Sequence, residues 1–480
     1  MSLKDMRRRS HWLGEALRED DEQAPPLVGD VKADVCIVGG GFTGLWTAIR
    51  LKEAEPALDV AIVEKDFCGA GASGRNGGFV LSWWAKFLSL KKICGEEEAV
   101  RLAKASADNV AEIGRFCAAN GIDSHYRHDG WMWAATSQAQ IGAWEGTMDA
   151  AEKWQLHPFD LLGPGEAARR AGSPRHLTGV FEPTAATVQP ALLARGLRRV
   201  ALQRGVRIYE ETPMRRLDRS RPPKVVTARG SVSAKKVVLA MNAWGIGFAE
   251  LRKGIVVVTS DIVGTAPAPE KLKEIGWDNG MCISDGRTLV HYYRTTKDGR
   301  IAFGKGGMNG LLPFGGNIGE KFDGASRIAD GVEHWFRWTY PQLKDVAVES
   351  SWTGPIDRSK SGLPHFNTLD GNPDILYGIG YSGSGVGPCA IGGKILASLA
   401  LEKKDEWSSC GLVRPLNREF PPEPIRYFGG RLVQRAVAAK DRAEDAGREP
   451  GALVNYLASF APAGLSPFKG QKAGLDNDGH

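Results

Sequence analysis

The sequence predicts an α/β protein (α+β overall): a Rossmann-type domain supplied in three pieces, with a mostly antiparallel-sheet domain inserted between them. Three observations predict it. Short apolar runs of the kind buried in parallel sheets recur at 34–38, 236–240 and 374–379, near the start, middle and end of the chain. Between the last two, residues 255–303 change to extended runs with turns at Asp285-Gly286 and Asp298-Gly299, which read as antiparallel strands. A chain of 480 residues is also too long for one hydrophobic core. The expected division places the Rossmann-type domain at 30–88, 161–250 and 348–405, the inserted domain at 89–160 and 251–347, and a C-terminal extension at 406–480.

The elements follow in order. Residues 1–30 read as a polar lead-in, with Arg7, Arg8 and Arg9 in a solvated arm. Strand 34–38 precedes a helix at 42–55, which Pro56 stops, and strand 59–63 follows. A glycine-dense loop occupies 69–78. Helical periodicity marks 96–120 and 137–154, with a strand at 126–135 between them. Helix 190–204 leads to strand 206–210, and further helices are expected at 330–336, 389–403 and 425–444. No internal repeat is present.

Composition narrows the function. The net charge of +6 is modest and its Lys and Arg are scattered, so no nucleic-acid partner is expected and anionic small molecules suit it as well. Seven Cys at irregular spacing, with no CxxC pair, argue against disulfides and zinc and for a reducing cytosol, so a cytoplasmic location is expected. Residues 1–22 lack the apolar region of a secretory signal, and the run 35–51 is broken by four glycines, unlike a membrane span. His125 and His128 flank a strand and read as surface residues, so no metal site is expected.

The chemistry is written in glycine. Gly39, Gly41 and Gly44 form G-x-G-x-x-G between a buried strand and a helix. The first permits the tight turn, the second lets backbone N–H groups reach a pyrophosphate, and the third lets helix and strand pack. The helix N-terminus adds partial positive charge. Glu64, twenty residues beyond Gly44, is placed to accept from ribose hydroxyls. Gly304, Gly306 and Gly310 precede Pro313 rather than a helix and read as a loop, so no second dinucleotide is expected. The ledges at 69–78 and 378–387 leave bare backbone for a wide ring, which selects FAD over NAD. The helix after the second ledge can face the flavin N1–C2=O edge with its positive end.

At this point the chain resembles the D-amino-acid oxidase superfamily of FAD enzymes, and within it the gamma-glutamylputrescine oxidase branch, alongside glycine and sarcosine oxidases. The matching pieces are Val38-Gly-Gly-Gly-Phe-Thr-Gly-Leu45, Gly71-Ala-Ser-Gly-Arg-Asn-Gly-Gly78, Ala240-Met-Asn-Ala-Trp244, Tyr292-Tyr-Arg294, Trp352-Thr-Gly354 and Gly380-Tyr-Ser-Gly-Ser-Gly385. The resemblance implies a flavin domain roofed by the antiparallel sheet, which serves as a substrate domain. It implies oxidation of an amine to an imine that hydrolyses, with electrons passing to oxygen. It assigns Gly39, Gly41, Gly44 and Glu64 to the ADP half of FAD, and Ser73, Arg75, Asn76 and Gly77 to the pyrophosphate and flavin. Met214 is matched to the adenine, and Gly383, Ser384, Gly385, Val386 and Gly387 to the flavin ring. Phe42, Thr43, Gly78, Ala240 and Asn242 within these pieces, and Lys65 beside Glu64, complete the expected cofactor set.

Three departures shape the expectations. Ser384 stands where the branch commonly has His. Neither the Lys near Gly387 nor the flavin-anchoring Cys of sarcosine oxidases has a match, since Cys389 sits at a helix start, so FAD is expected to be non-covalent. Ile356 stands where glycine oxidases carry an Arg. Arg358 shares the face of Ile356 if the segment is extended; with Arg294 it offers a cation for an anionic group farther from the reacting carbon.

A neutral amine can give up hydride directly, so the protein's part is to orient it. His291 and Tyr293 share one face of a roof strand and are expected to face the flavin, with Tyr381 nearby; the alternative is roof packing. Trp83 and Trp84 either wall the pocket or pack in the core. The helix carrying Arg426, Arg431, Arg435 and Lys440 is expected to dock on its own protein rather than on a membrane, because Asp441, Glu444 and Asp445 dilute its charge. Alternative functions are an amine dehydrogenase that passes electrons to a quinone or other carrier, and a flavin-bearing RNA-modification protein.

Overall fold

In a computed structural model, residues 9–306, 314–316, 318–319 and 324–462 are described. The apolar strands have no polar face, so they can lie only inside a sheet covered on both sides. They do so in a first sheet of eight strands. Its parallel centre runs Asn372–Ile379, Gly230–Leu239, Gly29–Val38, Val60–Val63, Arg207–Tyr209. His365–Leu369 closes one edge antiparallel, and the hairpin Arg216–Asp218 and Lys224–Val226 attaches to Gly230–Leu239.

Helices Phe42–Ala54, Pro190–Gln203 and Pro388–Ala400 accompany this sheet. The first and last approach closely at Gly393, where a Cβ would lie 2.7 Å from the Trp46 Cβ and 2.8 Å from its backbone carbonyl carbon.

The second sheet also has eight strands. Its order is Val348–Ser359, Ile255–Thr265, Ile301–Gly306, His291–Thr295, Cys282–Asp285, Trp131–Ala135, Thr178–Glu182, Asp160–Leu162. Neighbours are antiparallel except for the parallel pair Cys282–Asp285 and Trp131–Ala135. This sheet is the roof.

Several expectations change here. Strands Thr178–Glu182 and Val348–Ser359, placed by the sequence in the Rossmann-type pieces, and Asp160–Leu162, which straddles the boundary drawn at 160, pair in the roof. Their mixed burial left their sheet undecided, and pairing partners far along the chain decided it. Gly304 and Gly306 lie in strand Ile301–Gly306 rather than in a loop, and Gly304 leaves room for the Tyr292 ring. Gly310 and Pro313 lie outside the described residues. The helical stretch 137–154 is interrupted: Gly142, at φ +77°, separates a short turn at Gln138–Gln140 from helix Glu145–Glu152.

The lead-in is not a polar arm. Helix His11–Glu19 buries Trp12, Leu13, Ala16 and Leu17, and Ser10 caps it by accepting from the Leu13 N–H. Arg9 is buried and paired with Asp66 at 2.9 Å; Arg7 and Arg8 lie outside the described residues. Trp83 and Trp84 are core residues. Helix Ile425–Asp445 docks on the roof through Asp441 and Asp445. No helix among the described residues is long and apolar enough to cross a membrane, and none of their His, Cys, Asp and Glu form a metal-binding cluster.

Candidate active site

Between the two sheets lies a cavity of about 420 Å³. Its nucleotide end is built by the strand–turn–helix unit. Gly39 has φ +112°, and a Cβ there would collide with the Ala240 carbonyl oxygen; one on Gly44 would collide with the Gly39 carbonyl. Gly41, Phe42 and Thr43 bring the helix start to the cavity wall, where Ser73 Oγ accepts from the Phe42 N–H at 2.8 Å. Glu64 accepts from the Gly40 N–H at 2.7 Å and from the Asp66 N–H at 2.9 Å. Burial nevertheless pushes its acid up to about 7. Lys65 lies over the Trp244 ring at 4.6 Å, and Met214, Ala240 and Asn242 line the same end.

The first ledge carries Ser73, Arg75, Asn76 and Gly77 along the cavity. It is held from behind. Ser10 Oγ donates to the Gly74 carbonyl at 2.7 Å, and Trp12 Nε1 to the Asn76 carbonyl at 2.9 Å. Trp352 Nε1 donates to the Arg75 carbonyl at 2.8 Å, and Arg75 Nε to the Ala70 carbonyl at 2.8 Å. The second ledge presents Gly383, Ser384, Gly385 and Val386. Gly44, Gly78 and Gly387 stand behind the lining: Gly78 packs near Arg294, and a Cβ on Gly387 would meet the Leu81 carbonyl at 2.6 Å.

These features suit FAD. A helix start and a bare turn face one end, a carboxylate closes that end, and two glycine ledges continue the channel toward the roof. Cys389 also borders the cavity, but its Sγ is engaged by the Thr43 hydroxyl at 3.2 Å and burial pushes its thiol up to about 12, conditions unsuited to attack on a flavin.

The roof corrects the sequence on His291 and Tyr293. Strand His291–Thr295 alternates as expected, but with the opposite face toward the cavity. Tyr292 lines it, with its ring beside Gly77 and Phe79 and its hydroxyl 2.7 Å from Ser260 Oγ. Tyr293 points away, stacks on Phe303 at 4.9 Å and meets His176 Nε2 at 2.5 Å. His291 also points away; its Nδ1 lies 3.0 Å from Asp285 and its Nε2 meets Lys305. Burial, chiefly, pushes its imidazole down to about 3. Both faces of the strand are buried, so alternation alone could not say which meets the cavity. Arg294 follows Tyr292 in facing but stops behind Gly78, over the Trp12 ring at 5.2 Å.

Arg358 and Ile356 share the cavity-facing side of Val348–Ser359, while Asp357 turns back to accept from the Gly380 N–H at 2.6 Å. Tyr381 lines the cavity, but its hydroxyl points toward Gly392 of helix Pro388–Ala400. The sequence reading missed Lys86. It lines the cavity, donates to the Gly362 carbonyl and is pushed down to about 7 by burial and by Arg358. Its signal was a single Lys inside the apolar run 79–90. Ser260, Ser284, Thr288 and Val290 complete the roof wall and carried no such signal.

Comparison with known proteins agrees with this geometry. Residues 34–399 match the family described as DAO, FAD dependent oxidoreductase. Gamma-glutamylputrescine oxidoreductase of Escherichia coli strain K12 is 30% identical over 377 residues, covering 77% of this chain and 84% of that one. Glycine oxidase of Pseudomonas aeruginosa is 26% identical over 375 residues, covering 76% and 94%. The crystal structure of glycine oxidase from Geobacillus kaustophilus superposes with a TM-score of 0.66 at 21% identity, covering 81% of this chain and 99% of that one. With the dinucleotide cradle, the two ledges and the roof in one continuous match, the chain belongs to the DAO family of FAD-dependent oxidoreductases and is an enzyme acting on amines or amino acids.

Proposed function

We propose that this enzyme oxidises the C–N bond of an amine resembling gamma-glutamylputrescine, with its anionic group far from the reacting carbon. The imine product hydrolyses to an aldehyde or keto acid, and oxygen takes the electrons to give hydrogen peroxide. Bound FAD supplies the two-electron acceptor for the hydrogen that leaves the carbon beside nitrogen.

The charge of the roof half of the cavity carries this reading. Among the described lining residues Glu64 is the only carboxylate, and it lies at the nucleotide end. The rest of the wall offers the hydroxyls of Tyr292, Ser260, Ser284 and Thr288 and the guanidinium of Arg358, with Lys86, held down to about 7, charged only at lower pH. Such a wall repels an ammonium and admits the neutral amine, whose lone pair drives hydride out. Ile356 can hold no carboxylate beside the reacting carbon, whereas the Arg358 guanidinium offers a charged grip farther along, with Lys86 as a further hydrogen-bond donor. The similarity to the E. coli gamma-glutamylputrescine oxidoreductase favours the same substrate class. A cytoplasmic workplace suits seven cysteines that are all free thiols.

Anaerobic mixing with an amine panel tests the reading. Gamma-glutamylputrescine is expected to bleach the flavin faster than glycine or D-alanine, and kcat/KM to rise with pH through the substrate ammonium's titration. An alcohol or thiol oxidised in preference to every amine overturns the reaction class. Best turnover on a short α-amino acid, unaffected by Arg358→Met or Lys86→Met, overturns the distal grip. Reoxidation by air much slower than turnover with a dye would make the enzyme a dehydrogenase.

A further inference from the structure

Beyond the family match, which ends at residue 399, helix Ile425–Asp445 returns to the roof and takes hold of the loop at 286–290. The loop alternates. Thr288 and Val290 line the cavity, and Arg287 and Leu289 face the helix. Asp445 receives the Arg287 guanidinium as a fork, Nη2 to Oδ1 at 2.6 Å and Nε to Oδ2 at 3.2 Å. Asp441 Oδ2 accepts from the Leu289 N–H at 3.1 Å, and the Leu289 side chain packs with Ala436, Val437 and Ala458. Across the sheet the loop is tied at its base. Asp285 Oδ1 accepts from the N–H groups of Arg287 and His291, and the Gly306 N–H donates to the Val290 carbonyl.

We propose that helix Ile425–Asp445 sets amine selectivity, with Asp441 and Asp445 as positioning residues that hold the cavity wall of Thr288 and Val290 in place. Neither carboxylate lines the cavity, so each acts through the loop. The base ties fix where the loop starts and ends. At its tip, a long contact from Lys305 Nζ reaches the Leu289 carbonyl at 3.4 Å from the sheet side, while the half-buried Leu289 N–H has Asp441 as acceptor and its apolar side chain is seated on the helix. Release of the tip widens the cavity at Thr288 and Val290 and removes the wall that distinguishes amines by length or bulk. The selectivity rests on the amine reading given above.

The holoenzyme tests this in two ways. Asp441→Ala is expected to raise KM for the preferred amine roughly tenfold, the loss of about one hydrogen bond, with kcat within about twofold and flavin content unchanged. The preference between that amine and one a methylene longer is expected to flatten. Asp441→Asn, whose amide oxygen can still accept from the Leu289 N–H, is expected to restore both. Unchanged KM and preference in a flavin-loaded Asp441→Ala, or failure of Asn to rescue, overturns the proposal. Hydrogen exchange of the wild-type protein gives an arm independent of turnover. The Leu289 amide is expected to be protected well beyond exposed loops, and exchange at the rate of a free amide overturns the clamp even if every variant fails to fold. Lack of amine turnover with a protected Leu289 amide would instead count against the amine reading alone.

Discussion

At the scale of single residues, Glu64 shows how the cavity couples to protons. Burial holds its acid up to about 7 despite two backbone N–H donors. A folded-state pKa above the ordinary carboxylate value means that the apoprotein takes up a proton on folding. The stability this adds is present at low pH and is lost as pH rises through about 7. Glu64 is expected to accept from ribose hydroxyls, which favour its ionised form, so that FAD binding displaces the proton. FAD affinity is therefore expected to rise with pH and level off above about 7, and Glu64→Gln to flatten the dependence. Fluorescence titration of the apoprotein checks this, and pH-independent wild-type affinity contradicts it. The two roof tyrosines give a second test. Tyr293→Phe loses the His176 contact outside the cavity and is expected to cost about 1 kcal/mol of stability with kinetics unchanged. Tyr292→Phe loses the Ser260 contact at the wall and is expected to change kcat/KM instead. Urea melts beside steady-state kinetics separate the pair; the reverse assignment would restore the facing first expected from the sequence.

At the scale of elements, the N-terminal helix His11–Glu19 is part of the site although it touches the cavity nowhere. Ser10 and Trp12 hold the first ledge by its carbonyls, and Gln189 Nε2 donates to the Trp12 carbonyl at 2.9 Å, tying that helix to Pro190–Gln203. The indole is almost wholly buried and packs edge-on against Trp352 at 5.6 Å. Trp12→Ala is expected to cost about 3 to 5 kcal/mol through the cavity it leaves. It is also expected to speed FAD release, because Asn76 loses an anchor. Thermal melts and flavin-release rates check both effects, and unchanged release in a destabilised variant would make the helix a packing element only. Its pattern was visible in the sequence, with Ser10 as cap and Trp12, Leu13, Ala16 and Leu17 on one stripe. It escaped notice because basic residues precede it and acidic residues follow.

At the scale of the whole molecule, the cavity spans both sheets: Val63 and Glu64 line one end, and Tyr292, Ile356 and Arg358 line the other, the ends at which the ADP half and the ring of FAD are expected. FAD is thus expected to raise the unfolding temperature of the apoprotein in proportion to the logarithm of its concentration, and FMN, which cannot reach Glu64, to do so far less. Calorimetry with each flavin decides, and equal shifts would contradict the assignment of residues 39–64. The sequence by itself determined the strand–turn–helix unit, Glu64 and the glycine content of both ledges, because strand, turn, helix and acid follow one another in a fixed local order; what holds the first ledge in place, Ser10, Trp12 and Trp352, came from far along the chain. Gly39 needs its positive φ, and a Cβ on Gly44 would meet the Gly39 carbonyl, whatever the rest of the chain does. Tertiary structure alone decided the roof. Residues 160–182 and 348–359 found their sheet through partners distant in sequence. Tyr292 rather than Tyr293 met the cavity because Gly77 and Gly304 leave space for its ring while Asp285 and His176 draw the neighbouring side chains away. Lys86, Arg358 and the clamp at Leu289 likewise join segments far apart in the chain, and periodicity within one segment carries no information about what another will bring against it.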